Sequence, residues 1–142
     1  VTRQEKYRWL YRARNSQVEE EQLSREMREL ELSYMLPSIT IDDIPHGSGG
    51  ERDLSDFAAK WDALYDSLRE AYDRRRRYHW EIHEAIESSD LTEAQRAVLR
   101  YFFLMGKTIE QIAVLMQYTS RHVLRLRARA VDRLVIPAQK MS

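Results

Sequence analysis

Residues that interrupt regular backbone are scarce in this chain and gathered in one place. It has four glycines and three prolines in 142 residues, and residues 37–52 hold three of those glycines and two of those prolines. A sheet protein needs frequent turns, and turns need such residues. The stretches on either side can run as long helices, so an all-α fold is expected. The segment itself, PSITIDDIPHGSGGER, reads as a flexible linker, with Ile39, Ile41 and Ile44 available to tack it down. Its glycines do not form a phosphate loop, which follows a strand and opens a helix with a lysine in place.

The first helix is expected from about Gln4 to Leu36, ending at Pro37, as an element of residues 1–36. Leu23, Met27, Leu30 and Tyr34 line one face, and Tyr7, Leu10 and Tyr11 extend it. A second long helix is expected over 53–88. Phe57, Trp61, Leu64, Leu68, Ala71, Tyr78 and Ile82 recur with a period near 3.5, which suits a seam packed on another helix. Two such helices can fold back as a hairpin or pair as a coiled coil with a second copy, and the pattern does not choose. With Trp61, Leu64 and Leu68 buried against Leu23, Met27 and Leu30, residues 1–88 are expected to stand as a helical unit by themselves.

Charge is unevenly spread. The formal net charge is zero, yet residues 89–142 carry nine Lys/Arg against four Asp/Glu. A basic module behind a neutral-to-acidic helical part is the asymmetry of a chain that touches nucleic acid at one end. The chain has no cysteine, which excludes a disulfide framework and thiolate metal sites. No run approaches the roughly 20 apolar residues of a membrane span, and no secretory leader is visible. The cytoplasm of a bacterial host cell is the expected location, with no membrane partner.

The last third reads as three short helices, each announced by a cap, over 89–136, with a tail at 137–142. Thr92 and Gln95 form a capping box, as do Thr108 and Gln111. Gly106 suits a left-handed helix stop. Ile112, Leu115 and Met116 are apolar, and Ala113 is small enough for close packing. Gln117-Tyr118 makes a turn, and Thr119 or Ser120 caps a final helix with five arginines. There, Val123, Leu126, Ala130 and Leu134 form a stripe to be buried. Arg121, His122, Arg125 and Arg129 fall on the other faces. This is the form of a helix-turn-helix, whose second helix reads base edges with its N-terminal residues. An arginine fork binds guanine O6 and N7 together, and the helix dipole favours a phosphate at Thr119–Arg121.

Residues 91–134 resemble region four of the sigma-70 family of bacterial RNA polymerase subunits. The matching pattern is Leu91-Thr92, Val98-Leu99, Thr108-Ile109-Glu110-Gln111-Ile112-Ala113, Thr119-Ser120-Arg121, Val123, Leu126 and Ala130 to Leu134. The resemblance places base reading on Ser120, Arg121, Leu124 and Arg125, and a backbone contact on Arg129. Thr108, Thr119 and His122 complete the expected DNA-binding set. Leu124 departs from the family's polar or basic residue and suits a thymine methyl or a protein partner. Gln117 replaces a small or glycine-like residue. Region-four folds dock on polymerase through their first helices, here Ala97 to Phe103, so the exposed member of the Tyr101/Phe103 pair is the implied partner contact. The whole chain, with its long charged helices and its Tyr118-Thr119-Ser120-Arg121 turn, is similar to phage late-transcription regulators of the RinA/ArpU kind. Nothing in it resembles the part of a sigma factor that melts DNA.

Other chemistry finds little footing. His79 and His83 are one turn apart, but zinc sites need three or four placed ligands. Arg74 to Arg77 suit either a solvated patch paired with Glu29 or Glu31, or a second phosphate-binding surface. No base–nucleophile pair is present, so no catalytic residue, metal or cofactor is expected. The reading is a sequence-specific transcription regulator that binds double-stranded DNA and acts with bacterial RNA polymerase, with homodimerisation through the long helices open. The alternatives are a phage terminase small subunit and a polymerase-binding adaptor without DNA binding.

Overall fold

A computed structural model describes residues 1–35 and 49–138. The linker expected at 37–52, with Pro37, Ile39, Ile41 and Ile44, lies outside the described residues up to residue 48. So do residues 139–142 of the expected tail. The elements are all helical: α1 (Arg3–Met35), α2 (Gly49–Ser88), α3 (Glu93–Leu99) running into a π-helical turn (Arg100–Leu104), α4 (Ile109–Met116) and α5 (Ser120–Arg133). α2 begins earlier than residue 53, taking in Gly49 and Gly50. A 40-residue helix does not depend on the propensity of its first turn, so two glycines there are tolerated.

Packing divides the chain into two compact units, Val18–Tyr72 and the combination of Val1–Gln17 with Asp73–Ser142. In Val18–Tyr72, α1 and α2 pair within the chain. Tyr34 stacks on Phe57 with ring centroids 4.5 Å apart, and Phe57 stacks on Trp61 at 5.8 Å. Met27 and Ala71 are buried. Leu23, Leu30, Phe57, Trp61, Leu64 and Leu68 are only partly buried. The seam is placed as its period implies, but two helices cannot close around it, so the expected full burial of Trp61, Leu64 and Leu68 does not occur.

In the other unit the outer ends of the long helices enter the core of the C-terminal helices. Trp9, Leu10 and Ala13 of α1 and Ile82, Ala85 and Ile86 of α2 belong to one buried cluster with Val98, Leu99, Phe102, Phe103, Ile112, Val123, Leu126 and Ala130. Packing is therefore continuous across residues 88 and 89, where the sequence changes element. A three-helix module of under 50 residues is marginal alone, and the long helices supply the missing apolar surface. Polar contacts close the edges. Arg3 pairs with Asp132, Lys6 Nζ donates to the Asp132 carbonyl at 2.9 Å, and Arg133 reaches Asp90 at 3.1 Å. Arg12 bridges to Glu81 at 3.0 Å. The exposed pairs each contribute little, because water and salt screen them.

Candidate nucleic-acid interface

Local chemistry sets each helix boundary around the site. Thr92 Oγ1 accepts from Gln95 N at 3.2 Å and Gln95 Oε1 accepts from Thr92 N at 3.1 Å. Thr108 and Gln111 repeat the exchange at 3.1 and 3.0 Å. Thr119 Oγ1 accepts from His122 N at 3.1 Å and caps α5. Gly106 takes the left-handed conformation after α3 and its π turn, with φ +69°. Gln117 is also left-handed, with φ 59° and ψ 43°, and Tyr118 N closes the turn onto Ala113 O at 2.9 Å. The residue that stands where a small one is usual thus carries a conformation that glycine adopts more readily.

Between α3 and Gly106 the chain widens into the π turn, with Met105 N bonded to Arg100 O at 2.9 Å. Side chains in an α-helix are spaced by about 100°, so three neighbours cannot all face one core. The wider turn lowers that angle, and Phe102, Phe103 and Leu104 are all buried. Phe103 sits edge-on to Tyr11 at 5.3 Å and is fully buried. This corrects the pairing of Phe103 with Tyr101 as a partner contact: only Tyr101 keeps exposed surface.

α5 buries Val123, Leu126, Ala130 and Leu134, and also Val131. Ser120, Arg121, Leu124, Arg125 and Arg129 are exposed. Ser120 with Leu124, and Arg121 with Arg125, are one turn apart and so share a face. Thr119 and Thr108 are exposed, with their hydroxyls engaged in the caps. His122 is partly buried, edge-on to Tyr118 at 4.6 Å.

Arg127 does not join the solvent-facing arginines. Its guanidinium lies 4.7 Å from the Phe102 ring centroid and 5.5 Å from that of Tyr7, and its Nε is buried without a hydrogen-bond partner. Arg14 of α1 lies 4.1 Å from the same Phe102 ring, and its Nη1 donates to the carbonyls of Phe102 (2.6 Å) and Lys107 (3.1 Å). The sequence held a signal for Arg127, since it falls four residues after Val123 and three before Ala130, at the border of the buried stripe. Arg14 has no such local signal.

On α2, Arg74 and Arg75 are partly buried and Arg76 and Arg77 exposed. The Arg77 guanidinium lies 5.3 Å from the Tyr78 ring centroid. His79 is held below its ordinary range by burial, then by the charges of Arg75 and His83. Among the described residues no group of three or more His, Cys, Asp or Glu is arranged to hold a metal ion. No helix among them is long and apolar enough to cross a membrane.

Residues 89–134 match the family model for Sigma-70, region 4. The match begins at the end of α2 and stops where α5 ends, and it takes in both capping boxes, the Gln117 turn and all the exposed arginines of α5. A DNA-binding domain of the helix-turn-helix type, rather than a catalytic one, therefore occupies the last third of the chain. No curated protein and no solved structure matches the chain.

Proposed function

We propose that the chain is a phage or prophage transcription regulator of the late-gene activator type. It binds promoter-region DNA through α5 and acts with a bacterial RNA polymerase that already carries a sigma subunit. The observation that supports this best is the division of α5. One stripe is sealed into the core, while Ser120, Arg121, Leu124 and Arg125 stand together in solvent at the end of the helix that reads bases in this motif. Arg121 and Arg125 offer forks to guanine, and Leu124 offers an apolar contact to a thymine methyl. Arg129, further along, neutralises phosphate and carries no sequence information.

Polymerase docking falls to the partly exposed Tyr101, an aromatic of the kind that anchors interfaces in desolvated pockets. Reconstituted transcription tests the proposal. Core polymerase plus host sigma should gain promoter-specific output when the chain is added, and core plus the chain alone should not. Tyr101→Glu should abolish the gain while DNA binding survives. Robust initiation without the host sigma would overturn the accessory reading.

A further inference from the structure

Within Val18–Tyr72, α1 and α2 leave a groove between them. Leu30 of α1 and Ala63 and Leu64 of α2 give it an apolar lining, beside which stand Glu26, Glu29 and Lys60. Leu30 and Leu64 are only partly buried, and Ala63 is exposed. Glu26 and Leu30 are one turn apart on α1, as are Lys60 and Leu64 on α2, so each helix sets a charge next to its leucine. Lys60 is engaged, its Nζ 3.1 Å from the Asp56 carboxylate. Glu26 and Glu29 join no ion pair among the described residues. The surroundings share their sign: residues 18–35 and 54–72 carry ten Asp/Glu against four Lys/Arg.

We propose that this groove receives a basic amphipathic helix of a partner protein. The partner's apolar stripe lies over Leu30, Ala63 and Leu64, and its flanking lysines or arginines meet Glu26 and Glu29, which is the helix-in-groove mode of recognition. Charge selects this occupant. A second copy brings an equally acidic hairpin, and duplex DNA or an anionic lipid surface brings still more negative charge, so each is repelled. A basic helix is drawn in, and the two carboxylates gain the cations they lack. A third helix also covers the seam that two helices leave open. The lining runs from Glu26 to Ser33 on α1, about two turns. The contact is therefore small, and its affinity micromolar and salt-dependent.

Fluorescence anisotropy of labelled synthetic peptides against the full chain tests this. The probe is an amphipathic helical peptide of about five turns, with leucines at i, i+3, i+4 and i+7 and lysines flanking the stripe. One control peptide has the same composition scrambled to break the stripe, and another carries glutamine in place of lysine. The lysine peptide should bind, and both controls should bind about tenfold more weakly or worse. Glu26→Gln with Glu29→Gln should weaken the lysine peptide about tenfold, while Glu31→Gln with Asp66→Gln, outside the groove, should change little. Ala63→Gln, at an exposed site that tolerates a larger side chain, should weaken it several-fold with an unchanged helical circular-dichroism spectrum. Four results would overturn the proposal. They are no binding of the lysine peptide, equal binding of the scrambled one, equal losses for the two pairs of acid substitutions, and a sedimenting dimer of the chain that Ala63→Gln dissociates, which would give the groove to a second copy. The readout is independent of DNA, so it stands or falls separately from the proposed function.

Discussion

The guanidinium of Arg127 rests 4.7 Å from the centre of the Phe102 ring. The same ring takes Arg14 at 4.1 Å. One phenyl group of the π turn thus holds a cation from α1 and another from α5. Arg14 in addition donates to the carbonyls of Phe102, within that turn, and Lys107, just after it. The helix that presents the exposed arginines is fixed through its own inward arginine, so charge on α5 has two uses, and only one of them faces solvent.

Substitution of Arg127 should separate those uses. Arg127→Ala loses the stacking and the packed stem, and is expected to cost about 1–3 kcal/mol of stability by urea denaturation. Arg127→Met keeps the apolar volume and removes the unpartnered buried Nε, so it should stay within about 1 kcal/mol of the parent. Arg121→Ala, on the exposed face, should leave stability within about 0.5 kcal/mol. A large loss for Arg121→Ala and none for Arg127→Ala would reverse the assignment.

The two left-handed positions make opposite predictions. Gln117→Gly relieves a conformation that side chains disfavour and should stabilise the chain by about 0.5–1 kcal/mol. Gly106→Ala imposes that strain. The new Cβ also falls 2.9 Å from Gln17 Oε1, so the flexible end of that side chain must move. A loss of about 1–2 kcal/mol is expected. Thermal unfolding of the two variants beside the parent is sufficient to see both signs.

Local rules carried the sequence a long way here. Both capping boxes, the Gly106 stop and the stripe of Val123, Leu126, Ala130 and Leu134 are each encoded within a few residues, and each is present. What escaped depends on partners distant in the chain. Trp9, Leu10 and Ala13 lie in the C-terminal core, a meeting of residues some ninety positions apart that no helical period announces. The run Tyr101-Phe102-Phe103-Leu104 is compatible with an α-helix or a π turn, and only the demand of the core for three neighbouring side chains selects the second. Phe103 looked as available as Tyr101 for the same reason. Leu115 is apolar like Ile112 and Met116, yet it is exposed where they are buried or partly buried. Gly49 and Gly50 read as linker because propensity was the only guide to them.

Two acid steps in stability are expected. The Asp132 carboxyl is held below its ordinary value of 3.8 by the hydrogen bond from Arg3, with the charges of Arg3 and Lys6 adding to it. That contribution is present above the unfolded value and is lost as pH falls through and below it. His79 is pushed below 6.5 by burial first, then by Arg75 and His83. Unfolded His79 takes up its proton before folded His79 does, so stability falls as pH drops from about the unfolded value toward the lowered folded one. Urea titrations at stepped pH should show the upper step disappear in His79→Gln and the lower one shrink in Asp132→Asn.

The claim that α5 reads base edges is tested most directly by fluorescence anisotropy of the full chain. The two probes are a duplex selected from a random pool and a scrambled duplex of the same length, with each titration run across a salt series. Arg121→Ala and Arg125→Ala should each cost about 1–3 kcal/mol on the selected duplex and little on the scrambled one. Arg129→Ala should weaken both duplexes alike and lower the salt slope by about 1. Equal losses on both duplexes for all three variants, or no preference for any selected sequence, would contradict the account.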